Sequence, residues 1–474
     1  MGRDGTVFRH YIQGEGMITE SELMELSWPG APNMITAGPG PQVQRWVAES
    51  AAYESFTRGG GSLPVVMESG KGVTVKDPDG NLYLDMSAGV AVSSVGRRHP
   101  KVLEAIHRQA DVIMHTTDIT NPKRIELAKK VSGIMPEGLR GNCHTSLLQN
   151  GSDAIETAIK FSRAITGRSQ IVAFHGAYHG VWCGAVALTT GDNYRHGWGP
   201  MIPGVIHVPY AYCYRCAFGK TYPACDVQCG KYVDYVLNTP YTGADDVAAV
   251  IIESEQGEGG YVAPPPEFLE MVKAACEKNG CLYVADEVQA GAGRTGKMWA
   301  IQHANVAPDM VTWGKGMGGD LPMAGLTYRE EFEEALRECS HPSTFAGNAM
   351  SCEVSMTNID LITDPETDLL GHVTELGKEM RAYLTDAMPQ VPCVGEVRGN
   401  GLMIGIELVA DRATREPLEA ACNGEVSMKL LNRGIILAPR GRYGNVFRLM
   451  PPLTLPREYA FKALDIMLDV FKEY

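Results

Sequence analysis

Two apolar runs of the sequence each end in a residue that could do chemistry. Residues 281–285 are typical of a short buried strand that ends at Asp286, and residues 309–313 form a second run that leads into Lys315, which stands between two glycines. If the two strands are neighbours, they bring a carboxylate and an amine into one crevice. The amine can form a Schiff base with the aldehyde of pyridoxal phosphate, and the carboxylate can keep the pyridine nitrogen protonated so that the ring accepts electrons. A lysine between glycines is by itself typical of a solvated surface, but the strand ending in Asp286 favours the catalytic interpretation.

A phosphate group on such a cofactor would need an anion site, and residues 150–154 could provide it. Gly151 and Ser152 stand at the start of a predicted helix with an apolar stripe at positions 155, 158 and 159. Free backbone N–H groups and the helix dipole both favour an anion at a helix N-terminus. The alternative is ordinary capping of the helix by Ser152 or Asp153, which looks the same in isolation. The motif is therefore weak when taken alone.

Two further residues could contact a ring or a substrate. Tyr178 follows a predicted strand at 170–174, where its ring could lie over a cofactor, although an aromatic residue after a strand usually fills a core. Arg448 lies in the apolar run 447–452 and needs an anionic partner, because an unpaired buried charge is costly. A structural ion pair is the alternative for this arginine.

The order of these motifs resembles that of the class III (omega-type) pyridoxal-phosphate aminotransferases. Asp-Glu-Val-Gln at 286–289 is followed by Gly-Arg-Thr-Gly at 293–296 and then by Lys315, and the resemblance runs from about residue 63 to residue 455. It implies an α/β protein of the type I aminotransferase fold, with a mostly parallel sheet covered by helices on both faces. It also implies an active site shared by the two subunits of a homodimer, in which Lys315 carries the cofactor and shuttles a proton while Asp286 stabilises the pyridinium.

The same resemblance implies a set of cofactor contacts. Gly151 and Ser152 would bind the phosphate, Tyr178 would stack on one face of the ring with Val288 on the other, and Gln289 would form a hydrogen bond with the ring hydroxyl. Thr344, in the segment 341–348, would reach the phosphate from the partner subunit. Read without the resemblance, Ser-Thr before an aromatic residue indicates only the start of a helix.

Substrate recognition is also predicted from the resemblance. Glu258 and Arg448 match a pair that stays together when the substrate lacks an α-carboxylate and separates when Arg448 clamps one. Many relatives carry an arginine directly after the glycine at position 180, but here that residue is Val181, followed by Trp182. The usual clamp for a distal carboxylate is thus missing, and an apolar patch takes its place. We therefore expect a preference for pyruvate over 2-oxoglutarate.

The predicted reaction is transamination between an amine or ω-amino acid and a 2-oxo acid. One alternative is an amino-acid racemase or epimerase on the same scaffold, because the segment 88–96, which includes Val90 as a substrate contact, and the loop at 175–180 resemble a subgroup with such enzymes. A second alternative is a catalytically silent binding subunit, which the intact Lys315 and Asp286 argue against.

The pattern of apolar and polar residues predicts the secondary-structure elements that must position these residues. Residues 72–84 alternate around Asp-Pro-Asp-Gly and predict a hairpin, and residues 101–344 alternate helical patterns with short strands, as in a parallel sheet. The sequence predicts three parts: an N-terminal arm of residues 1–62, rich in Pro and Gly; a large cofactor-binding domain of residues 63–345; and a smaller α+β C-terminal domain of residues 346–474. That last part closes with an amphipathic helix.

Composition limits the classes of function. The net charge of −14 over 474 residues argues against a basic nucleic-acid interface, and no apolar run approaches membrane-spanning length. Because the N-terminus also lacks the apolar stretch of a signal peptide, we expect a cytoplasmic enzyme.

Four of the twelve cysteines cluster as Cys213, Cys216, Cys225 and Cys229. They could hold zinc, but their spacing fits no standard module, so we predict a surface loop without a metal.

Overall fold

The computed structural model describes residues 18–55, 57, 63–337 and 340–474. Gly59, Gly60 and Gly61 of the predicted arm, and Cys339, lie outside the described residues. The strands are β1 Ser69–Lys71, β2 Thr74–Lys76, β3 Leu82–Asp85, β4 Cys143–Leu148, β5 Gln170–Phe174, β6 Val205–Val208, β7 Val247–Glu253, β8 Leu282–Asp286, β9 Met310–Trp313, β10 Ala324–Arg329, β11 Val394–Asn400, β12 Met403–Asp411, β13 Glu416–Pro417, β14 Ile435–Ile436, β15 Pro439–Arg440 and β16 Val446–Leu449.

The α-helices alternate with these strands through the middle of the chain. They are α1 Glu20–Glu25, α2 Pro41–Tyr53, α3 Ala88–Ala91, α4 Pro100–Ala110, α5 Pro122–Ile134, α6 Gly151–Thr166, α7 Cys183–Leu188, α8 Asp192–Arg195, α9 Gln228–Asn238, α10 Pro266–Asn279, α11 Glu333–Leu336, α12 Ala349–Thr363, α13 Leu369–Ala387, α14 Ala420–Asn432 and α15 Arg457–Phe471.

A seven-stranded sheet in the order β4-β10-β9-β8-β7-β5-β6 forms the centre of the molecule. Strands β6, β5, β7, β8 and β9 pair in parallel, whereas β10 is antiparallel to both of its neighbours. The predicted mostly parallel sheet is confirmed. Its parallel strands all end at one edge, where their loops can build a site.

Both faces of this sheet are covered, as the apolar runs predict. Every residue of β7 and β8 is buried. Val250 and Ile252 of β7 belong to one apolar cluster, while Ala249 and Ile251, which alternate with them, belong to another on the opposite face. Side chains of a strand alternate between faces, so a strand buried on both sides reads as a continuous apolar run.

Two smaller sheets flank the central one. The predicted hairpin is β2 and β3, with β1 pairing beside β2. The strand β14, from the C-terminal part of the sequence, pairs in parallel with β3, so this first sheet combines both ends of the chain. The other sheet, β11-β12-β16-β15, is antiparallel throughout, and the predicted amphipathic helix at the end of the chain is α15, which buries Leu464, Leu468 and Phe471.

The described part of the arm packs on its own chain and is more regular than its Pro and Gly content predicts. Helix α2 begins at Pro41, where proline suits the first helical turn because its missing N–H needs no partner there. The Tyr459 hydroxyl of α15 donates to the Trp28 carbonyl, and Lys462 donates to the Ala31 carbonyl.

The loop that carries the four clustered cysteines is hydrogen-bonded to Glu407 of β12. The Tyr212 hydroxyl and the Arg215 guanidinium both donate to the buried carboxylate of Glu407. Among the described residues, no group of His, Cys, Asp and Glu side chains is placed to hold a metal ion. The absence of metal from this loop stays a prediction. Within the described ranges, no helix has the length and apolar character that crossing a membrane requires.

Candidate active site

Lys315 and Asp286 lie at the ends of neighbouring strands, as predicted. Strands β8 and β9 pair in parallel with Asp286 opposite Thr312. The chain then turns at Gly314 into a short 3₁₀ turn that begins at Lys315, whose φ of 43° is left-handed. A strained backbone of this kind is common at functional sites, where it holds a reactive side chain in place.

Three donors hold the Asp286 carboxylate in place. His179 Nδ1 donates to Oδ2 at 2.6 Å, while the Thr312 hydroxyl at 3.1 Å and the Val288 amide at 3.0 Å donate to Oδ1. Burial disfavours a charged ring at His179, but its hydrogen bond to Asp286 outweighs that effect and raises the pKa of the imidazole. No chemical role for His179 was predicted from the sequence, whereas its contact with Asp286 makes it part of the site.

Lys315 lies in a setting that favours its neutral amine. Burial lowers the pKa of the ammonium group to about 8, although the charges of Asp286 and Glu258 oppose the shift. An amine whose pKa lies near neutrality can act as a nucleophile and can exchange protons at physiological pH.

A cavity of about 410 Å³ opens beside these two residues. Besides them, its walls include five of the other predicted cofactor contacts: Gly151, Ser152, Tyr178, Val288 and Gln289. The segment 320–323, between Lys315 and β10, also lines the cavity and carried no motif that would have pointed to it.

The start of α6 is arranged to receive an anion. Asn150 caps the helix by accepting from the Asp153 amide at 3.1 Å, so the capping residue is neither of the two that the sequence suggested. The amides of Gly151 and Ser152 precede that of Ala154, which donates to the Asn150 carbonyl at 3.1 Å, so they belong to the first helical turn, whose N–H groups lack acceptors within the helix. A β-carbon on Gly180, which has a φ of 118°, would lie 2.2 Å from the Ser152 hydroxyl, so the loop at 175–180 packs closely against the start of α6.

Within the cavity, Val288 and Gln289 lie directly against glycines, and the space that these two side chains border is called the ring slot below. A β-carbon on Gly151 would lie 2.6 Å from Cγ1 of Val288, and one on Gly257 would lie 2.6 Å from the amide carbon of Gln289. The buried Oε1 of Gln289 has no partner among the described residues, which suits a ligand group that can donate to it. These residues, with Asp286 and Lys315, fit pyridoxal phosphate.

The predicted substrate pair is formed. Arg448 Nη1 lies 2.8 Å from Glu258 Oε2 and also donates to the Gly257 carbonyl at 3.0 Å. Burial opposes ionisation of Glu258, but the neighbouring Arg448 and the Tyr194 hydroxyl outweigh it and lower the pKa of the carboxyl. The pair is thus charged, and a carboxylate ligand could replace Glu258 on the arginine.

Five predicted site residues are not among those that line the cavity in the single chain, and two of them, Glu258 and Arg448, form the ion pair just described. Thr344, Trp182 and Val90 are exposed, and none of them is among the residues that line it. Val90 has a left-handed φ of 64° in the short helix α3, and its neighbour Val92 lines the cavity instead. The predicted contacts of these three residues remain predictions.

A group of buried acids at the cavity was not found from the sequence: Glu253 and Glu255 line it, and Glu287 follows Asp286. Burial raises the pKa of Glu253 and of Glu287 to about 7, and that of Glu255 to about 8. Glu253 accepts from the amides of Tyr178 and Gly257, so it holds the loops on both sides of the ring slot. The strand-end positions of Glu253 and Asp286, which are opposite each other in the sheet, were the available signal.

Comparison with known proteins agrees with this geometry. The family described as Aminotransferase class-III matches residues 55–471. A diaminobutyrate–2-oxoglutarate aminotransferase from Rhizobium meliloti (strain 1021) is 35% identical over 401 residues, which cover 83% of this chain and 85% of the relative. An alanine/serine racemase from Pyrococcus horikoshii is 33% identical over 93% of each chain. The crystal structure of an (S)-enantioselective omega-transaminase from Thermomicrobium roseum superposes with a TM-score of 0.82 at 29% identity, covering 90% of this chain and 98% of the other.

Proposed function

This chain belongs to the class III aminotransferases, which depend on pyridoxal phosphate, and we propose that it moves an amino group between an amine or ω-amino acid and a 2-oxo acid. The observation that carries the proposal is the placement of Lys315 and Asp286 at the ends of two paired strands, on one cavity. An activity screen of primary amines against 2-oxo acids with purified enzyme tests it. Absence of amino transfer for every pair would contradict the proposal.

The residues around the cavity have distinct roles in this reaction. Bound pyridoxal phosphate supplies an electron sink. Asp286, oriented by His179 and Thr312, keeps a proton on the ring nitrogen. Nζ of Lys315 takes a proton from the substrate carbon and later returns one, a role that suits a pKa near neutrality. The amides of Gly151 and Ser152 hold the phosphate.

The Glu258–Arg448 pair lets one active site accept both kinds of substrate. An amine without an α-carboxylate leaves the pair intact, so no buried charge is left alone. A 2-oxo acid brings a carboxylate that binds the guanidinium of Arg448 in two parallel hydrogen bonds, and Glu258 moves away. This exchange serves the two half-reactions in turn.

Pyruvate is the proposed acceptor in preference to 2-oxoglutarate. Val181 provides no charge for a distal carboxylate. Arg97 or Arg195 could supply one from another loop, but both already have partners: Arg97 Nη2 binds Asp85 at 2.6 Å, and Arg195 Nη1 donates to the Thr189 carbonyl at 3.2 Å. A missing charge-assisted contact costs about 1.5–3 kcal/mol, or roughly ten- to a hundred-fold in affinity.

The acceptor preference is measured as kcat/KM for each oxo acid with the same amine donor. Val181→Arg should raise the value for 2-oxoglutarate while leaving that for pyruvate nearly unchanged, because only the longer substrate has a second carboxylate. A wild-type preference for 2-oxoglutarate would mean that another residue supplies the distal clamp.

We also propose that the enzyme is at least a homodimer. Apolar side chains that a monomer would expose to water lie close together beside Thr344: Val112, Ile113, Met114, Ile119 and Phe345. His115 packs its ring 4.8 Å from that of Phe345, and the Met350 amide donates to the Met114 carbonyl, so these segments form one surface. A patch of this kind marks an interface, and it would place Thr344 at a partner's cavity.

Racemisation is the second candidate, because a relative named an alanine/serine racemase aligns over 93% of this chain. A racemase shares the proton abstraction at Lys315 but returns the proton to the opposite face of the same carbon. Incubation of single enantiomers of amino acids without any 2-oxo acid separates the two. Inversion under those conditions would favour racemisation, whereas dependence on an added oxo acid supports the aminotransferase.

A further inference from the structure

The second carboxylate oxygen of Glu258 has partners of its own. Oε2 binds Arg448, whereas Oε1 accepts from the Tyr194 hydroxyl at 2.8 Å and lies 3.5 Å from Nε of Arg440. Tyr194 belongs to α8 and Arg440 to β15, so two separate elements converge on this oxygen. The Gly441 amide also donates to the Glu258 backbone carbonyl at 3.2 Å, which ties the chain that carries Arg440 to Glu258.

These contacts address a problem inherent in the exchange at Arg448. When a substrate carboxylate takes that arginine, Glu258 loses its strongest partner while it remains mostly buried, with 17% of its side chain exposed. A buried carboxylate without a partner is strongly disfavoured. Arg440 is a third exposed, and it contacts the oxygen that Arg448 does not use. It can therefore follow the carboxylate when Glu258 turns away.

We propose that Arg440, assisted by Tyr194, is a positioning residue that keeps Glu258 paired after a substrate carboxylate has bound Arg448. The inference rests on the proposed function of the Glu258–Arg448 pair and adds the site to which Glu258 moves. It predicts that Arg440 matters for ligands with an α-carboxylate and not for simple amines. A residue with a merely structural role would affect both kinds of ligand alike.

Propionate binding to the holoenzyme, measured by calorimetry, tests this without turnover. In Arg440→Gln, propionate should bind about ten-fold more weakly, or roughly 1.4 kcal/mol, while kcat/KM for n-butylamine should stay within about two-fold of wild type. Arg440→Lys keeps the charge and should recover most of the affinity, and Tyr194→Phe should weaken binding less than Arg440→Gln does. Arg433→Gln removes an arginine that faces Glu473 at 3.8 Å on the surface and serves as the matched control. Unchanged propionate binding in Arg440→Gln would overturn the proposal.

A double-mutant cycle separates the proposed role from direct substrate binding. In a Glu258→Ala background there is no carboxylate to hold, so adding Arg440→Gln should leave propionate affinity unchanged. A further ten-fold loss in that background would show that Arg440 binds the ligand itself, and the proposal would be wrong.

Arg448→Gln distinguishes this inference from the function on which it rests. If propionate binding is weakened by Arg448→Gln but not by Arg440→Gln, only the role of Arg440 fails. If Arg448→Gln has no effect, the exchange at Arg448 fails and the role of Arg440 fails with it.

Discussion

Lys315 is buried near the Asp286 carboxylate, and the proposed reaction depends on its amine. Lys315→Ala should abolish multiple turnover while the protein stays folded, because no other group at the cavity offers a neutral amine at the same place. Turnover and thermal unfolding of the variant are the measurements, with Lys297→Ala as a control at an exposed lysine. Near wild-type turnover in Lys315→Ala would contradict the assignment.

Glu255 should make the stability of the protein depend on pH. Its Oε1 is buried without a partner among the described residues, and burial raises the pKa of its carboxyl to about 8 from an ordinary value of 4.5. Between these values the folded protein holds a proton that the unfolded chain has lost, so raising the pH through this window disfavours folding. A single proton contributes at most about 1.4 kcal/mol per pH unit.

Glu255→Gln, which is neutral at every pH, should remove that dependence. The variant and the wild type should unfold at similar temperatures near pH 5, and the variant should be the more stable one at pH 8.5. Thermal unfolding across this range is the measurement, with the exposed Glu137→Gln as control. Parallel curves for Glu255→Gln and wild type would show that Glu255 ionises normally in the folded protein.

For individual residues, only some of the side-chain roles could be predicted from the sequence. Asp286 and Lys315 were found because each follows an apolar run, and strand ends meet at one edge of a parallel sheet. His179 and Thr312 were not assigned to the carboxylate, because the contact of a histidine depends on how its loop folds back over the sheet. Glu255 was missed because nothing in its neighbours distinguishes a buried glutamate from an exposed one.

At the scale of elements, the sequence pattern predicted those helices and strands that depend mainly on local sequence. The type I aminotransferase fold is confirmed by the likeness to solved aminotransferases, and the hairpin of β2 and β3 and the helix α6 form as expected. Helix α2 was missed because its Pro and Gly flanks suggested looping chain. The pairing of β14 with β3 joins distant parts of the sequence, which no local pattern reports. The division into domains at residue 345 stays a prediction.

The start of α6 offers a test of how elements shape the cofactor slot. Gly151→Ala would place a methyl group 2.6 Å from Cγ1 of Val288, closer than atoms can approach, so either Val288, which borders the ring slot, or the start of α6 must shift. We expect the dissociation constant for pyridoxal phosphate to rise about ten-fold, the effect of roughly 1.4 kcal/mol. Absorbance titration of the apoenzyme with the cofactor measures it.

Gly133→Ala is the matched control for this change. Gly133 lies in α5 with no atom within 4 Å of the added carbon, so alanine there should leave cofactor binding unchanged and stabilise the fold by about 0.5–1 kcal/mol. Equal cofactor affinity in the two variants would mean that Val288 or the start of α6 moves aside without disturbing the slot.

At the scale of the whole molecule, the single chain leaves its predicted site incomplete. Thr344 is exposed beside an apolar surface and lies away from its own cavity lining, which fits a contact delivered to a partner. The resemblance named Thr344, but the extent of the apolar surface emerged only from the fold, because the segment 112–119 meets Phe345 through the tertiary ring contact of His115.

Complementation between two inactive variants tests this shared site. Lys315→Ala lacks the amine, and Thr344→Glu should repel the cofactor phosphate from a neighbouring subunit, so each homodimer should be inactive. In a mixed dimer, the Thr344→Glu chain supplies Lys315 and its partner supplies an intact Thr344, which completes one of the two sites. Random pairing of equal amounts should therefore restore about a quarter of the wild-type sites. Co-expression with two different affinity tags isolates the mixed dimer for activity measurement. If Thr344 acts within its own chain, or if the chains do not associate, no mixture will recover activity.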